Sequence, residues 1–161
     1  MSRQSKQELI DAIGDEFRIN QNRADVFDEM AAEHLGINRT DMRCLDVLTR
    51  LGRMSAGDLA REAGLTTGGA TAAVDRLERA GYVSRVRDEQ DRRRVWIEAT
   101  PVVLERAMEI WGPLQELWDG RARTLSREQL EFVFEFMRDS NAMMVDQIER
   151  VRMLRKRAES E

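Results

Sequence analysis

A chain of 161 residues with 26 lysines and arginines against 30 aspartates and glutamates is net acidic, at −4, with 42% hydrophobic and 35% charged residues. At this length one core is the natural outcome, and the high charge favours long, solvated helices. The single Cys44 excludes an internal disulfide, the single His34 leaves too few soft ligands for a zinc site, and no run approaches the roughly 20 apolar residues of a membrane span. The start, MSRQSKQELIDAIGDE, lacks the apolar core of a signal peptide. A cytoplasmic protein without metal or cofactor is therefore expected.

Along residues 6 to 34, Leu9, Ile10, Ile13, Phe17, Val26, Phe27 and Met30 recur mostly three or four apart without a proline, which predicts one amphipathic helix. Gly36 suits its end, and Asn38 or Thr40 can cap a second helix in which Cys44, Val47, Leu48 and Leu51 share a face, ended by Gly52. Ser55 is placed to cap a short helix, AGDLAREA, with Asp58 in the position of a capping-box acid. Gly64 and Leu65 turn the chain into TTGGATAAVDRLERA, a helix starting at Thr66 or Thr67 whose apolar face is Ala70, Ala73, Val74 and Leu77. Two short helices joined by a tight glycine turn are the pattern of a helix-turn-helix.

A hairpin follows directly. YVSRVR and RVWIEA alternate with the period of a strand, and DEQD supplies the turn. Thr100 with Pro101 reads as the cap and first residue of a further helix, kinked at Gly112 and Pro113. Ser126 with Gln129 forms a capping box opening a long final helix, with RKRAESE expected to fray. The whole predicts a mainly α protein with a small β-hairpin wing: an N-terminal dimerisation helix over 1–35, a winged helix-turn-helix lobe over 36–100, and C-terminal dimerisation helices over 101–161. Charge fits this division, because residues 36–97 carry a net +3 and the two flanks together −7. A basic centre between acidic ends is the footprint of a surface that faces a polyanion.

The strings LGINRTDMRCLDVL, SAGDLAREAGLT, AAVDRLERAGYVSR and, most specifically, DEQDRRRVWIEATP resemble the multiple antibiotic resistance regulator (MarR) family over most of the chain. The resemblance implies a homodimer held by the first and last helices, bound to a pseudo-palindromic site on double-stranded DNA. In many members a small phenolic or anionic effector bound near the junction of the two lobes releases the DNA. The sequence departs from the family at Gly68, Gly69 and Ala72, where longer polar residues are common, and at Ala99, where leucine is common.

A recognition helix presents its first turns to base edges, and its unpaired amides and dipole attract phosphate. On that ground Thr66, Thr67, Gly68, Gly69, Thr71, Ala72 and Arg76 are the candidate DNA contacts of this helix, with Ser55 on the DNA backbone. For Gly68 and Gly69, close backbone approach to DNA and a loosely wound first turn both fit. For Arg76, a phosphate contact and a tertiary carboxylate pair both fit. In the wing, the resemblance places Arg93 in the minor groove, braced by a carboxylate-guanidinium pair with Asp91, with Arg92 and Arg94 on phosphates or facing solvent. Cys44 reads as a buried structural thiol, Trp111 and Trp118 as core or junction residues, and Trp111 and His34 as candidate effector contacts. A Gly-rich phosphate loop and a catalytic triad are both missing from the sequence, so an enzyme is not expected. The alternative is a winged helix that binds a protein partner and no specific DNA.

Overall fold

The computed structural model describes residues 4–91 and 93–158. Eight elements follow in chain order: α1 (Lys6–Leu35), α2 (Arg39–Leu51), α3 (Ala56–Glu62), α4 (Thr67–Arg79), β1 (Val83–Arg87), β2 (Val95–Ala99), α5 (Pro101–Ala122) and α6 (Arg127–Ala158). They group into two compact units, one reaching to Gly112 and one starting at Pro113. Ala31, Ala32 and Leu35 of α1 and Val103 of α5 are buried in the same core as the helix-turn-helix.

In the first unit the predicted face of α4 and most of that of α2 are buried, but Leu51 is half exposed, and Leu9, Ile10, Ile13, Phe17, Val26 and Met30 of the predicted α1 stripe lie at the surface. Leu48 of α2, Leu59 of α3, Val74 and Leu77 of α4, Ile97 of β2 and Val103 of α5 are the unit's largest fully buried apolar side chains. Fully burying one such side chain contributes about 1.5–3 kcal/mol, so a core of this size sets the geometry of everything outside it. The two strands pair antiparallel from Val83 opposite Ala99 to Arg87 opposite Val95. Met54, in the loop between α2 and α3, extends this sheet by one bridge to Ile97, with N···O distances of 3.1 and 2.8 Å.

The local signals that hold are those of helix ends. Asn38, not Thr40, caps α2 by accepting from the Asp41 N–H at 2.9 Å. Gly81, at φ +77°, takes the left-handed conformation that lets Tyr82 N–H return to the Leu77 carbonyl at 2.9 Å. That turn aims Tyr82 inward, where its hydroxyl donates to the Leu35 carbonyl and accepts from Arg106, both at 2.9 Å. Thr100 departs from expectation: its hydroxyl donates to the Gly81 carbonyl at 2.8 Å, so only its backbone carbonyl serves the start of α5.

Helix α5 continues through Pro113. The boundary between the two compact units falls at that proline. In the second unit, Ser126 and Gln129 make the reciprocal capping box, at 2.8 and 3.2 Å, and α6 then runs to Ala158 with none of its residues buried. Residues Arg155 to Ala158 are helical, against the expectation of fraying from Arg155; the rest of that stretch lies outside the described residues.

Candidate nucleic-acid interface

The turn between α3 and α4 is as tight as the sequence predicts. Gly64 sits at φ +65° and Leu65 N–H bonds back to the Ala60 carbonyl at 2.8 Å. Ser55 caps α3, accepting from Asp58 N–H at 3.1 Å, but the box is not reciprocal in the usual sense. The Ser55 hydroxyl donates to the Asp58 carboxylate at 2.6 Å, since aspartate lacks the methylene that would carry it to the cap's own N–H. Asp58 is held below the ordinary carboxylate range, first by that hydroxyl and then by Arg61. Ser55 therefore enters any DNA contact with its donor already engaged.

Helix α4 begins regularly. Thr66 is its cap, accepting from Gly69 N–H at 3.1 Å, and Ala70 N–H meets the Thr66 carbonyl at 2.9 Å. Of the two accounts of Gly68 and Gly69, the loosely wound turn is thus not what forms. A Cβ on Gly68 would meet nothing within 4 Å, whereas one on Gly69 would come to 3.2 Å from the Thr66 hydroxyl. The protein's own packing explains a small residue at Gly69 and gives no reason for one at Gly68. Thr66, Thr67, Gly68, Thr71 and Ala72 are all exposed, while Ala70 and Ala73 turn into the core. Thr71 donates its hydroxyl to the Thr67 carbonyl at 2.9 Å, leaving its methyl and lone pairs facing outward.

Several arginines are already committed. Arg76 lies on the Asp41 carboxylate, with Nε at 3.0 Å from Oδ2 and Nη2 at 2.6 Å from Oδ1. Of the two roles open to it in the sequence, the carboxylate pair is the one present. Asp41 is only 2% exposed and the Arg76 side chain 38%, so the pair ties α4 to α2 at the edge of the core. Arg85 of β1 pairs with Asp75 and Glu78 of α4, joining the wing to the recognition helix. Arg43 donates to the Ala63 carbonyl at 3.2 Å, just before the turn.

The wing arginines differ. Arg93 and Arg94 are exposed, and among the described residues neither has a carboxylate within 4.0 Å. Asp91 does not brace the Arg93 guanidinium as expected; its Oδ1 accepts the Arg93 backbone N–H at 3.0 Å, because a short carboxylate reaches the amide two residues on more readily than a long side chain. Arg92 lies outside the described residues. The other turn acid, Asp88, accepts from the Trp96 indole at 2.7 Å, from Gln90 N–H at 2.8 Å and from Asp91 N–H at 2.9 Å. These donors, the indole first, hold its pKa down to about 2. Sequence reasoning passed over Trp96 and Asp88. The tryptophan interrupting a run of small strand formers was the signal available.

The two effector candidates line different recesses. Trp111 borders a pocket of about 160 Å³ with Asp28, Arg39, Met42, Arg43 and Asp46, its ring meeting Phe27 edge-on at 6.0 Å. His34 is exposed beside a shallow groove of about 430 Å³ lined by Phe27, Met30, Ala31, Glu109 and Ile110. Burial raises the Asp28 carboxyl despite Arg39 nearby. Cys44 is fully buried, and desolvation first, then the Asp41 charge, pushes its thiol up to about 11. Trp118 is exposed in the second unit.

A short helix, a tight glycine turn, a helix with an open first turn and an arginine-bearing hairpin define a winged helix-turn-helix. Residues 35–94 match the family model described as the MarR family. The chain is 37% identical over 151 residues to the uncharacterized HTH-type transcriptional regulator YcgE of Bacillus subtilis, covering 94% of this chain and 98% of that one. It is 32% identical over 95 residues to the HTH-type transcriptional regulator FarR of Neisseria gonorrhoeae, covering 58% and 65%. It therefore belongs to the MarR family of DNA-binding transcriptional regulators and is not an enzyme.

Solved structures share the fold. A MarR family protein from Bacillus stearothermophilus matches with a TM-score of 0.64 at 20% identity, over 88% of this chain and 99% of that one. An S. aureus MepR mutant bound to an oligodeoxyribonucleotide matches at 0.56 and 20% identity, over 84% and 97%. NadR in complex with 4-hydroxyphenylacetate matches at 0.56 and 24% identity, over 86% of this chain and 96% of that one. No helix among the described residues is long and apolar enough to cross a membrane.

Proposed function

We propose that this regulator acts as a homodimer on a pseudo-palindromic DNA site and represses transcription until a small ligand binds. The observation that carries the reading is α6, a helix of 32 residues in which none is buried. Leu130, Phe134, Met137, Met144, Ile148 and Val151 fall at spacings of three, four and seven along it, an apolar stripe that a single chain leaves in water. Leu9, Ile10 and Ile13 of α1 are about half exposed in the same way. A second copy is the occupant that fits stripes of this length, and two copies present two reading heads related by symmetry, hence a palindromic site.

On each head, Thr66, Thr67, Gly68, Gly69, Thr71 and Ala72 face the major groove, Arg93 enters the minor groove, and Ser55, Arg92 and Arg94 meet the backbone. The complex of the MepR mutant with an oligodeoxyribonucleotide supports DNA binding through this fold. The complex of NadR with 4-hydroxyphenylacetate supports a ligand site, and here Trp111 offers an aromatic wall to a pocket that carries two arginines, Arg39 and Arg43, and two acids, Asp28 and Asp46. His34 is the second candidate contact. Repression is the simplest consequence of a dimer occupying a promoter.

Selection of bound duplexes from a random pool, together with sedimentation equilibrium, tests the reading. A dimer and an inverted-repeat site are expected, transcription from a template bearing that site should fall, and phenolic carboxylates should raise the melting temperature and release the DNA. A monomer that selects no repeat overturns it.

A further inference from the structure

Arginines close to the reading head are mostly spent: Arg43 on the Ala63 carbonyl, Arg76 on Asp41, Arg85 on Asp75 and Glu78, Arg61 on Asp58. Arg53 and Arg94 are not. Both are exposed, neither has a carboxylate within 4.0 Å among the described residues, and they come from different parts of the chain, one before α3 and one before β2. What they share is a ring. The Arg94 guanidinium carbon lies 4.5 Å and that of Arg53 5.6 Å from the centre of Trp96. The ring itself is fixed, since its N–H donates to Asp88 at 2.7 Å and the adjacent Ile97 is bridged to Met54, next to Arg53.

We propose that Trp96 is a positioning residue that orders Arg53 and Arg94 as phosphate contacts beside the turn end of the wing. This rests on the DNA reading above and adds to it one contact, Arg53, and the group that orders both arginines. A guanidinium over an indole face is attracted by the ring quadrupole and keeps its N–H edge free to fork onto a phosphate. Free arginine side chains lose rotamer freedom on binding, and stacking them beforehand removes part of that cost. The position suits the backbone rather than the bases, because in a helix-turn-helix the segment ahead of the recognition helix crosses the sugar-phosphate chain.

The test uses the full chain and two labelled duplexes, one of random sequence and one selected from a pool, titrated by fluorescence anisotropy at several salt concentrations. Arg53→Ala and Arg94→Ala should each weaken both duplexes alike and flatten the salt slope by about one. Trp96→Leu should weaken both by about tenfold with the slope retained, since both charges remain, and should shrink the effect of each arginine substitution made on top of it. Trp96→Phe, which keeps an aromatic face, should recover most of the affinity. Wild-type affinity in Trp96→Leu, additive double variants, or a phenylalanine variant as weak as the leucine one overturns the positioning role. If Trp96→Leu lowers the slope together with the melting temperature, the residue merely supports the wing and the proposal is likewise overturned. Failure of the wild-type chain to bind either duplex overturns the DNA reading itself, a distinct result.

Discussion

Arg76 reaches back 35 positions to clasp Asp41 through Nε and Nη2, the carboxylate lying inside the core and the guanidinium at its edge. The asymmetry makes the two substitutions unequal. Arg76→Ala strands a buried carboxylate, a loss of about 2–3 kcal/mol at the Asp41 end, whereas Asp41→Asn removes the buried charge and lets the arginine turn to solvent. Thermal denaturation of the pair of variants should show Arg76→Ala the less stable by several degrees. Equal melting temperatures would mean that the pair is not formed in solution.

Arg93 has neither a brace nor an ion pair among the described residues, so its removal should leave the fold alone. Arg93→Ala is expected to weaken binding to a selected duplex by about 1–3 kcal/mol with the melting temperature and oligomeric state unchanged. Unchanged affinity in a titration at fixed salt would remove Arg93 from the interface.

Gly68 and Gly69 should separate stability from binding. Alanine at Gly68 meets no neighbour and improves helix propensity, a gain of about 0.5–1 kcal/mol, yet it places a methyl group where close approach to DNA is expected. Gly68→Ala should therefore melt higher and bind DNA more weakly. At Gly69 the added carbon crowds the Thr66 hydroxyl at 3.2 Å, so the stability gain should be smaller or absent. A Gly68→Ala variant with undiminished affinity would show that the backbone does not approach the duplex there.

The wing turn should be sensitive to acid. Asp88 is held down to about 2 in the folded chain against an ordinary value of 3.8, so its contribution is fully present above about pH 4 and is lost as pH falls toward 2. The Trp96 indole N–H resonance should shift with a midpoint near 2. A midpoint near 4 would show that the bond to Asp88 does not form.

Cys44 should be inert. A fully buried thiol pushed up to about 11 is neutral at pH 7, so thiol reagents should label it only after denaturation. Rapid labelling of the folded protein would make it accessible and open to a redox role.

What could be read from the sequence was what is decided over three or four residues. Ser55, Thr66 and Ser126 at helix starts and Gly64 and Gly81 at turns act through bonds to near neighbours, and strand alternation around Ile97 needs only the hairpin. The reach of longer side chains was not legible in the same way. Nothing near Arg76 points to Asp41, Thr100 serves the Gly81 carbonyl rather than its own helix, and Asp91 prefers an amide to the guanidinium assigned to it. The partners of Trp96 come from two separate segments, so only a folded chain assembles them. Trp111 of α5 and His34 of α1 come from different helices and border different recesses, the first lined mostly by charged side chains and the second mostly by apolar ones, a division that depends on how the two helices pack.

The single bridge from Met54 to Ile97 has a mechanical consequence. It clamps the loop ahead of α3 to one strand, while Arg85 clamps the other strand to α4, so the hairpin is fastened on both sides to the body that carries Thr67. A hairpin fastened in this way is coupled to that body on both edges. Any displacement of the wing is expected to carry α4 and the loop ahead of α3 with it.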